Sequence, residues 1–215
     1  MDIASLFDAA LAWISDHRAW AGVVYGLMAF GESMVVLGVL IPATGVMMAA
    51  GALVADGTLP FLDLWIGGAV GAALGDTVSY RIGRWLGPGV HRIWPFSTRP
   101  EMLAAAERLF ARWGWIAVVV GRFIGPLRAS IPTVAGMAEM PAGLFQAANI
   151  GSAILWIPVL VFPGTILGWA WALAGSGDTA TAAWVAGGLV VAVVAAWVAW
   201  RRWSPALFAP PPDGT

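Results

Sequence analysis

The chain of 215 residues has no cysteine and no lysine, and it has only two histidines, His17 and His91. Without cysteine, disulfides, thiolate nucleophiles and thiolate metal ligands are excluded. Without lysine, Schiff-base chemistry and a phosphate-binding loop lysine are excluded. Two histidines are too few for a multi-histidine metal centre within one chain. We therefore expect no cofactor, no metal and no enzymatic activity.

Charge is also scarce. Charged residues make up 11% of the chain and hydrophobic residues 60%, whereas an ordinary soluble domain has roughly 25% charged residues. The mean hydropathy is +0.82. The net charge of −1 provides no global field that attracts nucleic acid, so we expect no nucleic-acid partner. The composition predicts a membrane protein.

Four stretches are long and apolar enough to cross a bilayer, which takes about 20 residues: residues 19–40, 61–78, 144–173 and 180–200. Other parts of the chain are predicted to lie at the surface. We expect an amphipathic helix at residues 1–18, which lack the basic start of a secretory signal, and a second one at 98–113. The predicted organisation is completed by a membrane core at 19–173, a C-terminal transmembrane helix at 174–203 and a flexible, proline-rich tail at 204–215.

Arginine placement predicts the orientation of the chain. Most arginines lie between the two halves of the membrane core or directly after the last predicted span: Arg81, Arg84, Arg92, Arg99, Arg108, Arg112, Arg201 and Arg202. Because loops rich in arginine stay on the cytoplasmic side, we expect both regions, and with them the C-terminus, to face the cytoplasm.

Two apolar segments, at about residues 25–55 and 115–139, are interrupted by proline and glycine. The breaks contain Pro42 and Gly45 in the first segment and Gly125, Pro126 and Pro132 in the second. Each run after a break is about ten residues, too short to span. The pattern is compatible with a kinked helix or a turn, and also with a re-entrant hairpin. Paired interrupted segments in two halves indicate a transport site.

Three charges fall within these segments. Ionisable groups inside a membrane are functional candidates, and Glu32 lies in an otherwise uncharged run, while Arg122 and Arg128 flank the second break. On a continuous helix the two arginines would point about 120° apart, but the break permits them to meet. Paired guanidinium groups suit phosphate binding. Alternatively, they pair with Glu32 and Glu139 and hold the halves together; Glu139 is also a candidate cap of the second hairpin.

Several polar residues are secondary candidates. For Asp76, which is predicted to lie near a helix end, three interpretations are open: a proton-carrying role, a structural partner in Arg81 or Arg84, or solvation. The hydroxyl of Thr44 lies at a helix break, where it can bind substrate or freed backbone groups. Asn149, within an apolar stretch, predicts an interhelical hydrogen bond.

Small residues recur every four positions through the second predicted span: Gly67, Gly71, Gly75, Ser79, Gly83 and Gly87. Such a stripe lets helices approach closely in lipid, and we predict a packing role for it.

These features occur together in three motifs. They are Glu32-Ser33 followed by Ile41-Pro42 and Ala50-Gly51; Gly71-x-x-x-Gly75-Asp76-x-x-x-Tyr80-x-x-Gly83-Arg84; and Arg122-Phe123-Ile124-x-x-x-Arg128 followed by Pro132 and Ala135-Gly136. In these motifs the chain resembles the DedA family, whose core is the VTT domain. The resemblance implies an all-α, polytopic protein of the bacterial cytoplasmic (inner) membrane. It also implies two opposed re-entrant hairpins that form an inverted repeat.

The resemblance also implies a function and a set of residues. Family members are implicated in moving lipids such as undecaprenyl phosphate and phosphatidylethanolamine between leaflets, and dependence on the proton-motive force has been proposed. The family's essential arginines match Arg122 and Arg128, and its membrane glutamate matches Glu32. Many members have a second acidic residue where this chain has Thr44, and the second hairpin reads Gly125-Pro126 where Pro-Gly is common.

We therefore predict a lipid translocase, resembling flippases or scramblases, that moves a phosphate-bearing lipid and is a candidate for proton coupling. The expected partners are that lipid and the bilayer, and a homo-oligomer is left open. The alternative is a proton-coupled transporter of a small ion or solute in the inner membrane, which would use the same charges.

Overall fold

A computed structural model of the chain describes residues 20–34 and 44–208. In these ranges the protein is all-helical and has no strand. The α-helices are α1 (Ala21–Ser33), α2 (Thr44–Ala55), α3 (Phe61–Leu86), α4 (Pro100–Trp113), α5 (Trp115–Gly121), α6 (Ser130–Met137), α7 (Ala142–Gly175) and α8 (Thr179–Phe208). Two short 3₁₀ helices lie at Gly87–Arg92 and Gly125–Leu127. The predicted helix at residues 1–18 and Pro42 lie outside the described residues.

Proline and glycine mark the ends of α3 and α4, the two helices on either side of residues 87–99, which are predicted to face the cytoplasm. Helix α3 follows Pro60 and ends at Leu86; the N–H of the next residue, Gly87, bonds the Gly83 carbonyl, and the positive φ of Gly87, 50°, turns the chain out of the helix. Helix α4 starts with Pro100 and ends at Gly114, where φ is 54°. Proline suits a first helical position because its missing N–H would be unsatisfied there, and glycine adopts the positive φ of a helix end without steric cost.

Within residues 20–34 and 44–208, three helices are long and apolar enough to cross a membrane. They lie within Phe61–Arg92, Ala142–Gly175 and Thr179–Val198, which correspond to three of the four predicted spans. The fourth prediction, residues 19–40, differs from the structure because α1 ends at Ser33 after 13 residues, about 20 Å at 1.5 Å per residue.

Helices α3 and α7 form the centre of the molecule. Helix α1 packs on the first part of α3 and α6 on its last part, while α5 and α2 pack on the first and later parts of α7. Each interrupted segment therefore has one helix that packs on α3 and one that packs on α7.

The glycine stripe of α3 packs against these neighbours, as predicted. A Cβ added at Gly26 would come within 2.7 Å of the Gly67 carbonyl oxygen, and one added at Gly71 would overlap the Gly26 carbonyl oxygen. At the other end of α3, a Cβ at Gly83 would overlap the Thr133 carbonyl oxygen of α6. Gly87 differs, because its role is the helix end rather than packing.

The segment at 115–139 is interrupted, as the break at Gly125-Pro126 predicted. Helices α5 and α6 have only seven and eight residues, and the 3₁₀ turn Gly125–Leu127 lies between them. Two predicted break residues lie elsewhere. Pro132 is the third residue of α6, where a missing N–H costs nothing because the first turn has no intrahelical acceptor, and Gly45 is the second residue of α2.

Helix α8 lies at the periphery, because only 6% of its most apolar 18-residue stretch is buried within the protein. It continues to Phe208, five residues into the predicted flexible tail. The helix continues past Pro205 even though an interior proline removes one hydrogen bond and crowds the carbonyl one turn earlier; Ala206 and Leu207, which follow it, are good helix formers. The rest of the predicted tail, 209–215, lies outside the described residues.

Candidate binding site

Arg122 is held by a set of buried partners. It follows α5 directly, and its Nη2 forms an ion pair with Asp76 Oδ2 of α3. The same nitrogen donates to Asn149 Oδ1 at 2.6 Å, and Nε donates to Ser152 Oγ at 2.9 Å, both on α7. The predicted pairing of Asp76 with Arg81 or Arg84 is wrong, because Asp76 faces α5 and α7 rather than the end of its own helix.

Arg128 forms the second ion pair. Its Nη1 lies 3.1 Å from Glu32 Oε1, so residues 96 positions apart in the sequence are joined. Thr44, the first residue of α2, donates its hydroxyl to the same Glu32 oxygen. The guanidinium carbon of Arg128 lies 4.4 Å from the centroid of the Trp156 ring, which is within the range of a cation–π contact.

The two ion pairs form one charged cluster, which we define as Glu32, Asp76, Arg122 and Arg128. Arg128 interacts electrostatically with Asp76 and Arg122 as well as with Glu32. The formal charge of the four groups sums to zero. Parts of both interrupted segments and of both central helices are therefore needed to assemble the site.

The charged cluster lies between two hydrophobic cores. One core surrounds the last part of α3 and includes Tyr80 and Phe145, and the other surrounds its first part and includes Ala72 and Trp156. Asp76 falls between these two cores on α3, and Asn149 and Ser152 fall between them on α7. Because apolar side chains cover the site on both sides, the local dielectric is low and ion pairs are strong there.

Asn149 connects the charged cluster to a second group of polar residues. Its Nδ2 donates to the Ala73 carbonyl oxygen of α3 at 2.9 Å, which confirms the predicted interhelical hydrogen bond. Gln146, one turn earlier on α7, donates to Thr77 Oγ1 at 2.9 Å.

Glu139 lies apart from the charged cluster. It is exposed, has a φ of 53° and follows α6. The predicted alternative, in which the two arginines pair with Glu32 and Glu139, is confirmed for Glu32, which pairs with Arg128. It is wrong for Glu139, because the other arginine, Arg122, pairs with Asp76.

Both members of the Arg128 pair retain a buried polar atom without a partner. These atoms are Arg128 Nη2 and Glu32 Oε2, and neither has a hydrogen bond among the described residues. An unsatisfied buried polar atom costs about 1–3 kcal/mol, and more when it is charged. A buried group left unsatisfied calls for an explanation, such as a functional role or a bound ion.

An apolar groove of about 520 Å³ lies beside Asn149, between α3 and α7. Its walls include Ile66, Val70 and Ile154, and Thr77 and Gln146 also line it. Val70 and Ile66 are exposed, so the groove opens to the outside of the helix bundle.

Ser152 and Trp156 are site residues that the sequence reasoning missed. A signal was present, because Gln146, Asn149 and Ser152 recur every third position in an otherwise apolar helix, which places polar groups along one helix face. The described residues include no group of three histidine, aspartate or glutamate side chains that could hold a metal ion.

The fold and site together define a helical membrane protein with a buried ion-pair cluster. The sequence profile of the VTT domain matches residues 41–166, which is more than half of the chain. The chain therefore belongs to the VTT domain family of membrane proteins, the DedA family that the motifs indicated.

Similar proteins are described as membrane proteins. The inner membrane protein YabI of Escherichia coli is 34% identical over 71% of this chain and 62% of its own length. An uncharacterized membrane protein of Buchnera aphidicola is 32% identical over 73% of this chain and 61% of its own. One from Mycobacterium tuberculosis is 39% identical over 56% and 58%. The chain spans about three fifths of the length of these relatives. No solved structure matches.

Proposed function

We propose that the protein moves a phosphate-bearing lipid between the two leaflets of the bacterial inner membrane. The observation that carries the proposal is the charged cluster itself, in which a buried arginine and a largely covered one lie among helices long enough to cross a bilayer. Arginine recognises phosphate through two parallel hydrogen bonds. Placing charged side chains inside a membrane is costly, and such residues are typical of a substrate pathway.

The depth of the charged cluster supports a site within the bilayer. Asp76 is the sixteenth of the 26 residues of α3. At 1.5 Å per residue it is about 15 Å from the nearer end of the helix, and the hydrocarbon core is about 30 Å thick. A head group bound at the cluster would therefore be about halfway between the leaflets.

The lengths of the interrupted segments support re-entrant hairpins. Helices α5 and α6 reach only about 10–12 Å at 1.5 Å per residue, and α2, with 12 residues, reaches about 18 Å. None of these helices is long enough to cross the bilayer alone. We propose that the two segments enter from opposite sides and meet at the charged cluster, and that the C-terminus faces the cytoplasm.

The apolar groove supports a lipid as the substrate. It is next to the polar group of Thr77, Gln146 and Asn149, and Asn149 contacts Arg122. An amphipathic ligand needs a polar site and an apolar surface side by side. In this proposal the phosphate occupies the charged cluster while the hydrocarbon chains stay in the groove or in the surrounding lipid.

Glu32 provides a mechanism for proton coupling. When ionised, it neutralises Arg128, and when protonated, it frees the guanidinium for an anion. Thr44 also donates its hydroxyl to Glu32. Proton binding at Glu32 would thus compete with the Arg128 ion pair and with this hydrogen bond.

A leaflet-exchange assay tests the proposal. The protein is reconstituted in vesicles that contain a fluorescent phosphatidylethanolamine, and the fraction of probe accessible to an external quencher is followed with time. We expect Arg128→Ala to reduce the exchange rate at least tenfold, because the fork that binds phosphate is lost. The control is Arg81→Ala, which removes an exposed arginine of α3.

The same vesicles distinguish the alternative function. If they take up inorganic phosphate at a rate that depends on Arg128 and show no lipid exchange, the protein is a solute transporter. Full lipid exchange by a correctly folded Arg128→Ala variant would contradict the lipid proposal.

A further inference from the structure

Two of the three guanidinium nitrogens of Arg122, Nη2 and Nε, are occupied by partners on the central helices. Nη2 pairs with Asp76 and bonds Asn149, and Nε bonds Ser152. Only 4% of its side chain is exposed. These partners lie on α3 and α7, the two central helices. A ligand that bound Arg122 at Nη2 or Nε would have to displace a buried carboxylate, an amide or a hydroxyl.

The donors of Arg128 are only partly occupied. Nη1 bonds Glu32, while Nη2 is buried without a partner among the described residues. Its side chain is 11% exposed, nearly three times the value for Arg122. The partner of Arg128 also belongs to α1 rather than to the central helices. Replacing that partner therefore does not disturb the contacts between α3 and α7.

Trp156 gives Arg128 a fixed surface. The guanidinium carbon lies 4.4 Å from the ring centroid, and Trp156 is buried on α7. A guanidinium that stacks on an aromatic ring keeps its in-plane N–H groups available for an anion. The two Nη atoms of Arg128 then form the fork that matches two phosphate oxygens.

From these contacts we infer that the two arginines have different roles: Arg128 on Trp156 binds the phosphate group in place of Glu32, whereas Arg122 is a positioning residue held by Asp76, Asn149 and Ser152. The assignment of the phosphate to a lipid rests on the proposed function. The phosphate itself has two sources, a lipid head group and the free ion.

In this division of roles, Arg128 exchanges Glu32 for phosphate while Arg122 keeps its partners. Phosphate entering the site offers Arg128 two acceptor oxygens, so Nη1 keeps a bond and Nη2 gains one. Glu32 leaves the guanidinium but keeps the hydroxyl of Thr44. The ion pair of Arg122 with Asp76 remains and fixes the position of the break that carries both arginines.

The first experiment compares conservative variants of the two arginines. Purified protein in nanodiscs is titrated with phosphatidic acid, with diacylglycerol as the matched lipid without phosphate, and bound lipid is counted by native mass spectrometry. Lysine keeps the charge but loses the fork. We expect Arg128→Lys to weaken the binding of phosphatidic acid at least tenfold, with little change in melting temperature. Arg122→Lys should lower the melting temperature by several degrees. Its loss of phosphatidic acid binding should be several-fold smaller than the loss caused by Arg128→Lys.

A second pair of variants tests the roles by charge exchange. We expect Asp76→Arg combined with Arg122→Asp to recover stability and phosphatidic acid binding relative to Arg122→Asp alone, because a positioning pair works in either direction. Glu32→Arg combined with Arg128→Glu should recover stability relative to Arg128→Glu alone but not binding. If the exchanged chains fail to fold, the lysine comparison alone decides.

The outcomes separate this inference from the proposed function. Equal losses of phosphatidic acid binding in the two lysine variants would overturn the division of roles, even if the wild-type protein exchanges lipid. Equal binding of phosphatidic acid and diacylglycerol would also overturn it. Binding that depends on Arg128, is competed by inorganic phosphate and occurs without lipid exchange would support the inference, assign the free ion as ligand and contradict the lipid translocase.

Discussion

Arg122 and Arg128 are six positions apart, yet each has its own carboxylate, because the chain between them turns at Gly125–Leu127. The partners differ in what surrounds them. Asp76 lies in the middle of α3 and shares Arg122 with two polar side chains of α7, whereas Glu32 lies in the last turn of α1. Removing one partner of a buried ion pair is costly because the other partner is left as an uncompensated buried charge.

Loss of the Asp76 charge is therefore expected to destabilise the protein. Asp76→Asn leaves Arg122 with a buried, unpaired charge, and such a change costs about 3–5 kcal/mol. We expect a clear fall in the melting temperature measured by fluorescence in detergent. The control is Asp63→Asn, which changes an exposed aspartate of the same helix.

The double variant Asp76→Asn with Arg122→Gln tests whether the lost stability comes from the unpaired charge. It removes both charges, so we expect part of the lost stability to return. An Asp76→Asn variant as stable as wild type would contradict the assignment of a buried ion pair at this position.

At the scale of the helices, glycine decides how closely α1, α2 and α6 approach α3 and α7. The carbonyl oxygens of Gly26, Thr133 and Val161 lie where a Cβ on the facing glycine would be. Without a hydrophobic force between helices in lipid, close packing of this kind is what holds them together. The charged cluster depends on it, since Glu32 and the second break are carried by these packed helices.

A methyl group in the stripe should therefore separate the helices. Gly83→Ala places a Cβ on the Thr133 carbonyl oxygen of α6, and overpacking typically costs about 1–3 kcal/mol. We expect a lower melting temperature and slower lipid exchange, because α6 follows the break that carries Arg128.

Gly151→Ala is the matched control for this variant. Gly151 lies within α7, and an added Cβ would meet nothing within 4 Å. Because alanine is the better helix former by about 1 kcal/mol, this variant should be at least as stable as wild type. Equal effects of the two substitutions would argue against a packing role for the α3 stripe.

At the scale of the whole molecule, large apolar side chains cover the outside of the helices. Val70, Leu155 and Trp184 are all more than half exposed, and α8 contacts the rest of the protein mainly through α7. A surface of this kind is stable in lipid and not in water.

The predicted orientation is testable by labelling, because the natural chain has no cysteine. Ser176 lies between α7 and α8, and Ser97 lies before α4; both are exposed. We expect a membrane-impermeant maleimide to label Ser176→Cys in intact spheroplasts and Ser97→Cys only after permeabilisation. Labelling of both from the outside would contradict the proposed orientation.

The sequence by itself determined that this is a helical membrane protein of the VTT family, with an interruption at Gly125-Pro126, and three of its four predicted spans match helices long enough to cross a bilayer. Composition, run length and the residues that start or end helices are local properties, so they are readable without coordinates. The pairing of Arg122 with Asp76, the contacts of Ser152 and Trp156, and the end of α1 at Ser33 were decided only by the tertiary structure. Which carboxylate meets which arginine depends on how α3, α5 and α7 pack across 27 to 46 positions of sequence, and no local pattern encodes that distance.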